Sequence, residues 1–366
     1  MRYTFVDLNL FGTSRAEIDL ASTRRVLAVK LSSFGDVVHV TPCLRALRLA
    51  CPEAQIVVAV DKTWAPILRN DPHLDAVIEA EPSKKRFIPS LIDARRRLRA
   101  RNGTRFDLAI DFQGRTRSAA WIYASAARIQ AGRGGFRPGW WAAVQPNMLR
   151  HAVEVCAEIA ESVGIIVTDL EPRLFTSEKS DRALGEILRG IGAPQRNFVI
   201  ANPFGTWLSK VWPLERWATL IRRVCNELRL PVVLAGGPKD EKELPRLLAL
   251  LAPSPPPSMV GKMAIEEAIC LYDRALLMVS GDTGPMHAAA AVGTPVVALF
   301  GATWPEQTGP RGKLHRILQK SKARRHHDYQ HDAERHHIEA IDVEMVFASV
   351  AGLYRKICSS RDQTEL

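Results

Sequence analysis

The chain has 366 residues, more than one hydrophobic core usually supports, which predicts two domains. Apolar residues make up 46% and charged residues 24% of the sequence, and this composition excludes a disordered or fibrous protein. Lys and Arg number 50 against 39 Asp and Glu, so the net charge is +11. Such a balance favours an anionic partner: nucleic acid, an anionic membrane surface or a phosphorylated substrate.

Cysteine usage and hydropathy indicate the compartment. The six cysteines are scattered and form no CxxC pair, which argues against a zinc ribbon or a disulfide scaffold and favours a reducing cytoplasm. The segment before Val26 lacks the layout of a signal peptide. Because a membrane span needs about 20 predominantly apolar residues in one helix, and we find no such run, we expect a cytoplasmic protein.

Short β-branched runs alternate with longer helical patterns in both halves of the chain. In the first half, strands are predicted over 26–31, 55–60, 76–80 and 106–112, with a helix over 37–50. In the second half, the predicted strands are 197–202, 231–236, 275–281 and 295–301, and the predicted helices are 215–228, 240–251, 265–272 and 285–291. Strands separated by helices indicate βαβ units and a parallel sheet.

We therefore predict an α/β protein of two Rossmann-like, doubly wound domains that face a central cleft. The polar stretch around 168–196 separates the two series of strands, and the domain boundary is placed there. The predicted division is an N-terminal extension over 1–24, two domains over 25–175 and 176–342, and a C-terminal helix and tail over 343–366.

The first motif is KLSSFGDVVH, residues 30–39, at the predicted junction of the first strand and first helix. Ser32, Ser33 and Gly35 permit a tight turn near a helix N-terminus, where backbone N–H groups favour an anion. Asp36 is either a helix cap or a general base held at the cleft. The turn matches neither the GxGxxG pattern nor the P-loop pattern.

The second motif, NPFGTWLSKVWP, follows a predicted strand and precedes a helix. Thr206, Ser209 and Lys210 offer two hydroxyl donors and an ammonium group, a set suited to phosphate. The alternative is a solvated loop lysine.

The third motif, SGDTGPMH over residues 280–287, joins a predicted strand to a helix rich in alanine. Pro285 stands at the first helical turn, and the backbone N–H groups of Thr283 and Gly284 would point at an anion. This predicts a pyrophosphate site, or else a well-capped structural helix. His287 lies one turn into that helix, where packing is the usual role of a histidine.

A fourth motif, GGPKDEKEL over residues 236–244, places acids in a first helical turn. These acids either complement the helix dipole or accept hydrogen bonds from ribose hydroxyls.

Basic tracts lie at 83–87, 94–105, 114–117 and 322–337. They are either solvated faces or contacts to an anion, and no helix-turn-helix or RNA-recognition signature accompanies them. The last tract is rich in histidine, including His327 and His331 at helical spacing. Because it lacks a clear helix and partner carboxylates, we predict no metal site.

Taken in order, KxSSxGDxxH, the Lys-x-Trp-Pro loop, GGPxDE and SGDTGPMHxAAAxGTPVVALFG closely resemble the glycosyltransferase family 9 heptosyltransferases, from about Arg24 to Gly312. The resemblance implies the GT-B fold and inverting, metal-independent transfer of heptose from ADP-heptose to the inner core of lipopolysaccharide, without a cofactor. The segment before Val26 is longer than the family pattern.

The resemblance also implies roles for particular residues. Asp36 matches the catalytic base, and Lys210 matches the lysine that meets the donor phosphates. Glu241 matches an acid at the ribose and Met263 an adenine-pocket position. The other positions that match the donor site are Thr206, Ser209, Asp282, Thr283, Gly284 and His287.

An acceptor that carries Kdo carboxylates and lipid A phosphates gives the basic tracts a partner. The expected acceptor-binding residues are Ser33, Gly35, Lys84, Lys85, Arg86, Gln113, Arg115 and Arg117. The protein would work at the cytoplasmic face of the inner membrane, held there by charge. The KLSSFGD and DFQG stretches favour an enzyme of the first heptosyltransferase type, which adds to Kdo.

Two alternatives remain open at this stage. One keeps the donor chemistry but transfers to a protein or another glycan. The other is a basic module that binds nucleic acid or anionic lipid through 95–101.

Overall fold

The computed structural model describes residues 19–83, 86–100, 105–134, 142–325, 330 and 332–362. Its first sheet has six parallel strands in the order β3-β2-β1-β4-β5-β6. They are β1 Arg25–Val29, β2 Gln55–Asp61, β3 Ala76–Ala80, β4 Leu108–Asp111, β5 Ile129–Arg133 and β6 Ala142–Val144. The helices of this half are α1 Phe34–His39, α2 Thr41–Ala50, α3 Phe87–Arg99, α4 Thr116–Ser125 and α5 Ala152–Glu161.

The second sheet has five parallel strands in the order β11-β10-β9-β7-β8. They are β7 Val199–Asn202, β8 Val232–Leu234, β9 Leu277–Gly281, β10 Val296–Leu299 and β11 Arg316–Leu318. The helices that follow residue 170 are α6 Glu178–Gly190, α7 Leu214–Glu227, α8 Leu244–Leu251, α9 Ile265–Arg274, α10 Gly284–Ala291, α11 Pro305–Thr308, α12 His336–Glu339 and α13 Val343–Asp362.

The two sheets share one topology. Strand order 3-2-1-4-5-6 in the first sheet is that of doubly wound nucleotide-binding folds. A single parallel bridge from Leu234 to Ser258 extends the second sheet beyond β8, which gives it the same order. The prediction of two doubly wound parallel sheets is confirmed.

Successive side chains of β1 point to opposite faces of the first sheet, and both faces are apolar because helices cover both. Val26 and Ala28 join one buried cluster, whereas Leu27 and Val29 join the other. The cluster that contains Val26 also contains Met286 of the second half, and α1 packs against α10. The two halves are therefore in direct contact beside the carboxyl ends of β1 and β9.

Two predicted helices are divided in the structure, each near a proline. The helix predicted over 37–50 is α1 and α2, with Pro42 in the first turn of α2. The helix predicted over 240–251 is a 3-10 helix, Pro238–Lys242, followed by α8 with Pro245 in its first turn. Proline lacks the N–H that a helix interior needs, so each proline begins a new helix.

Other elements were not predicted. These are the strands β5, β6 and β11 and the helices α3, α4 and α5. The helix α3 carries four arginines, and its charge hid its amphipathic pattern. Within the described ranges, no helix is both long and apolar enough to cross a bilayer.

Candidate functional site

The turn after β1 places Asp36 in the first turn of α1, beside a buried lysine. Asp36 Oδ2 accepts hydrogen bonds from the backbone N–H and the hydroxyl of Ser33, both at 3.0 Å. Lys30 Nζ lies 3.4 Å from Asp36 Oδ1 and also donates to the carbonyl of Phe112 at 3.3 Å. Asp36 is thus both a helix cap and a half-exposed carboxylate at the cleft.

The electrostatics of this pair keep Asp36 ionised. Burial raises the pKa of the Asp36 carboxyl. The ammonium of Lys30 and the hydrogen bonds from Ser33 lower the pKa by more than burial raises it, so that it falls to about 2. Burial lowers the pKa of Lys30, and the Asp36 carboxylate reverses that effect, so the pKa is raised overall. The pair is therefore charged at neutral pH.

The turn that carries Asp36 is supported by the neighbouring strand β4. Asp111 Oδ1 accepts the backbone N–H groups of Gln113 and Gly114 at 2.9 and 3.0 Å, and Asp111 Oδ2 accepts the hydroxyl of Ser118 at 2.8 Å. Gln113 Oε1 in turn accepts the backbone N–H of Ser32 at 3.2 Å. Gln113, expected to bind acceptor, thus helps to hold the turn that positions the carboxylate.

The turn after β9 holds a second aspartate–lysine pair. Asp282 is buried just before α10, and Lys210 Nζ donates to its Oδ2 at 2.7 Å. Burial raises the pKa of Asp282, but Lys210 and His287 together hold it well below its usual range. Asn202 Nδ2 donates to the hydroxyls of Ser280 and Thr283 at 2.9 and 3.3 Å, which fixes the entry to α10.

Three buried histidines lie between the two turns. His39 Nε2 and His287 Nδ1 are 3.2 Å apart, and His287 Nε2 is 3.7 Å from Asp282 Oδ1. One of the two facing nitrogens of His39 and His287 donates to the other, and the other ring nitrogen of His287 faces the Asp282 carboxylate. The line from α1 through His39 and His287 to Asp282 and Lys210 connects the two halves.

The third histidine, His151, precedes α5. Its Nδ1 accepts the backbone N–H of Val153 at 3.2 Å, so its Nε2–H donates to the carbonyl of Gly309 at 2.9 Å. Burial lowers the pKa of His151 to about 4, and burial beside His287 and His151 lowers that of His39 well below its usual range. Both rings are therefore neutral at physiological pH.

Two glycines allow the helices α1 and α10 to approach closely. A Cβ on Gly35 would lie 2.8 Å from Cδ2 of His287, and a Cβ on Gly284 would lie 2.6 Å from Cγ of Phe34. Neither distance is compatible with an alanine unless a neighbour moves. Gly35 and Gly284, expected to bind acceptor and donor respectively, pack against the opposite half in this structure.

The remaining donor candidates surround the second turn. Thr206 is exposed and Ser209 is buried, on either side of the start of the 3-10 helix Leu208–Lys210. The exposed side chain of Glu241 lies directly over Gly261, where a Cβ would fall within 1.8 Å of Glu241 Oε1. Met263 is half-buried two residues later. The structure thus brings Glu241 and the turn that bears Met263 together.

The expected acceptor-binding residues differ in their exposure to solvent. Arg86 and Arg115 are exposed, as is Ser33, whereas Lys84 and Lys85 lie outside the described residues.

Arg117, also expected to bind acceptor, already has protein partners in this structure. Its Nη1 donates to Asp61 Oδ2 at 2.8 Å and its Nη2 donates to the carbonyl of Glu81 at 2.9 Å. These contacts fix the guanidinium at the ends of β2 and β3, and its contact with an acceptor stays a prediction.

One group of side chains in the described residues offers three metal-ligating atoms within 4.8 Å of one another: Glu334, His336 and His337. Both ring nitrogens of His337 already have protein partners, Ser321 Oγ at 2.8 Å and Glu334 Oε2 at 2.7 Å. His327 and His331 lie outside the described residues. The expectation of a site without metal stays a prediction.

Lys30, His39 and His151 belong to the site but were not among the sequence candidates. Lys30 stood out in one respect, because it is the charged residue of the otherwise apolar run VLAVKL. His39 is the last residue of the motif KxSSxGDxxH, but no role was assigned to it, and His151 stands in no motif. The proximity of both to His287 depends on how the two halves meet.

Comparisons with known proteins identify the family. The model of glycosyltransferase family 9 (heptosyltransferase) matches residues 93–337. Lipopolysaccharide heptosyltransferase 1 of Salmonella typhimurium is 30% identical over 309 residues, which cover 79% of this chain and 92% of the relative. Lipopolysaccharide heptosyltransferase 3 of Escherichia coli is 24% identical over 277 residues, 74% of this chain and 81% of the relative.

Solved structures share the fold. The glycosyl transferase family 9 structure from Veillonella parvula superposes with a TM-score of 0.80 at 22% identity, covering 93% of this chain and 99% of that one. The ADP-heptose lps heptosyltransferase II of E. coli superposes with a TM-score of 0.72 at 21% identity, covering 91% and 99%. The GT-B architecture is thereby confirmed. The chain belongs to glycosyltransferase family 9, the heptosyltransferase family, and is a glycosyltransferase.

Proposed function

We propose that the protein transfers heptose from ADP-heptose to the inner core of lipopolysaccharide, with inversion at the anomeric carbon. The family and the names of the relatives support heptose as the sugar and lipopolysaccharide as the acceptor class. The observation that carries the proposal is the pair of aspartate–lysine turns, Lys30 with Asp36 and Lys210 with Asp282, which meet where α1 packs against α10.

On the acceptor side, Asp36 serves as the general base. Its carboxylate is half-exposed and ionised, and the Ser33 hydrogen bonds hold its orientation. The acceptor hydroxyl gives its proton to Asp36, its oxygen bonds to the anomeric carbon, and the bond from that carbon to the phosphate oxygen breaks. A pKa of about 2 makes Asp36 a weak base, so proton transfer is expected late in the step, when the hydroxyl has become acidic.

On the donor side, Lys210 stabilises the diphosphate that leaves. Its ammonium donates to Asp282 and supplies the positive charge that suits a phosphate oxygen. The N-terminus of α10 at Thr283 and Gly284 adds backbone N–H groups and the positive end of the helix dipole. Charge stabilisation of this kind lowers the barrier without a metal ion or other cofactor.

The nucleoside and the acceptor occupy the flanks of the site. Glu241 accepts hydrogen bonds from the ribose hydroxyls, and Met263 packs on the adenine. Glu241 and the turn that bears Met263 come together beside Gly261. The exposed Arg86 and Arg115, with Lys84 and Lys85, bind the carboxylates and phosphates of the acceptor. Kdo is the favoured acceptor sugar. The enzyme would act at the cytoplasmic face of the inner membrane.

The test is ADP release in the presence of ADP-heptose and a Kdo-bearing lipid A acceptor. We expect Asp36→Asn to lower kcat by about 10²–10⁴-fold, the usual contribution of a general base, with donor affinity unchanged. The matched control is Asp75→Asn, because Asp75 is as exposed as Asp36 and pairs with Arg48 away from the cleft. ADP release that does not need the acceptor, or that survives in Asp36→Asn, would contradict the proposal; binding without turnover would point to a different acceptor.

A further inference from the structure

The outer face of α3 combines exposed isoleucines with exposed arginines. Ile88 and Ile92 are 68% and 63% exposed, which is unusual for large apolar side chains one helical turn apart. Arg95 and Arg99 follow on the same face at the i+3 and i+7 positions from Ile92 and are also exposed. We define the outer face of α3 as Ile88, Ile92, Arg95, Arg96 and Arg99.

The inner face of the same helix is firmly anchored. Ala94 and Leu98 are buried in the cluster that covers one face of the first sheet, and α3 packs along α4. Asp93, the single acid of α3, also points inward, where Arg97 Nε donates to its Oδ1 at 2.8 Å. The outer face therefore carries no negative charge of its own.

The arginines of this face are available to an external anion. Arg95 and Arg99 make no ion pair with any residue that the structure describes. Arg96 is 74% exposed, and its Nη2 lies 3.4 Å from Asp93 Oδ1, the oxygen that Arg97 also contacts. Arginine side chains of this kind reach phosphate oxygens bidentately. Isoleucines beside them point to a partner that offers apolar depth as well as anionic charge, which is a lipid bilayer and not a nucleic acid.

We propose that the outer face of α3 docks the protein on an anionic phospholipid bilayer. The helix spans about 20 Å, and lying in the interface plane it would insert Ile88 and Ile92 below the headgroups while the arginines bind lipid phosphates. This docking surface rests on the proposed function for its purpose, because that function needs an acceptor held in a membrane.

The position of the surface fits such an acceptor. The residues before α3 follow the carboxyl end of β3, and Arg117 at the start of α4 bonds to the carbonyl of Glu81 in that connection. The end of α3 that bears Ile88 therefore lies on the same edge of the sheet as the exposed Arg86 and Arg115. An acceptor anchored in the bilayer would present its sugar toward that edge.

The test measures binding of the full chain to vesicles of phosphatidylcholine with phosphatidylglycerol and to vesicles of phosphatidylcholine alone. We expect binding only to the anionic vesicles. The variants Ile88→Ser with Ile92→Ser, and Arg95→Gln with Arg99→Gln, should each weaken it about tenfold. Matched controls are Ile166→Ser, an equally exposed isoleucine elsewhere, and Arg182→Gln, an exposed arginine of α6; both should bind as the wild type.

Activity and donor binding separate this surface from the proposed function. Both α3 variants should bind ADP-heptose normally and use a deacylated acceptor at the wild-type rate, while losing activity on acceptor presented in vesicles. Failure of the wild type to bind anionic vesicles, or unchanged binding in the isoleucine variant, overturns the docking surface. Binding to duplex DNA that depends on Arg95 and Arg99 but not on the isoleucines also overturns it. A wild type that binds vesicles but not ADP-heptose refutes the proposed function alone.

Discussion

The turns after β1 and β9 each place an aspartate in an ion pair with a lysine, and the exposure of the two partners is reversed between the pairs. Lys30 belongs to the first turn itself, whereas Lys210 comes from the 3-10 helix that follows β7. In the first turn the lysine is buried, Lys30 at 7% exposure, and the carboxylate of Asp36 is 45% exposed. In the second turn the carboxylate of Asp282 is buried at 4% and the ammonium of Lys210 is 16% exposed. Each turn thus presents one charge to the cleft and keeps the opposite charge behind it.

This reversal of exposure shows how one structural unit can serve two chemical purposes. A strand end followed by a helix N-terminus positions the aspartate of each pair, and burial decides which member of the pair meets a ligand. The first turn offers a carboxylate suited to take a proton, and the second offers an ammonium suited to a phosphate. The buried partner in each case keeps the exposed group ionised, because an opposite charge nearby favours the charged form.

Replacing the lysine of each ion pair should give the largest effects and the clearest test of the reversed exposure. Lys210→Met should lower kcat by about 10²–10³-fold and weaken ADP binding, since it removes the charge that meets the diphosphate. Lys30→Met should leave ADP affinity intact and raise the pKa of Asp36, which moves the acid limb of kcat/KM to higher pH.

Steady-state kinetics over a pH range and calorimetric titration with ADP distinguish the two lysine variants. The comparison between the turns would be wrong if Lys30→Met weakened ADP binding as much as Lys210→Met.

Acid should destabilise the protein through His151, whose ring bonds to Gly309 of the second half. Its pKa is lowered to about 4, so between pH 6.5 and pH 4 the unfolded chain binds a proton that the folded chain does not. The stabilisation is present above pH 6.5 and is lost as the pH falls to about 4, a change of about 3 kcal/mol. His151→Gln keeps a donor for the carbonyl of Gly309 and should flatten this dependence.

Urea unfolding at a series of pH values measures that effect. An identical pH slope in the wild type and in His151→Gln would show that the histidine does not titrate as its burial requires.

The close approach of α1 and α10, which brings the two turns together, can be tested by its effect on stability. This is the smallest of the expected effects. Gly284→Ala should destabilise the protein by about 1–3 kcal/mol, because its Cβ would fall against Phe34. Adding Phe34→Ala should recover part of that loss. Gly352→Ala in α13 is the control, since nothing lies within 4 Å of its added Cβ and alanine favours a helix.

Thermal unfolding of the three variants provides the measurement. A Gly284→Ala protein as stable as the wild type would mean that the two helix ends are not held together in solution.

Much of the fold could be predicted because its signals are local. The strands of 76–80 and 55–60 and the helix of 215–228 appear within a residue of their predicted ends, since β-branched runs and helical periodicity are properties of short segments. β5, β6 and β11 were missed because they are short and carry polar or small residues. Their pairing with a neighbouring strand, and not their composition, makes them strands.

The candidate site could be predicted in part for the same reason. Asp36, Lys210 and Asp282 stand in motifs that the sequence displays, and the structure brings Asp282 and Lys210 within 2.7 Å. The ion pair between Arg117 and Asp61 was not predicted, because the two residues lie 56 positions apart in the chain and no sequence pattern connects them.

The sequence by itself determined the two series of parallel strands, the turns that follow β1 and β9, and the charged residues those turns carry. These depend on local conformational preference and on the period of apolar residues. Only the tertiary structure decided which member of each ion pair is buried, that His39 meets His287, and that Gly35 and Gly284 face the opposite half. Burial and contact between distant segments arise when the two halves pack together. Local sequence patterns do not show which distant residues will meet.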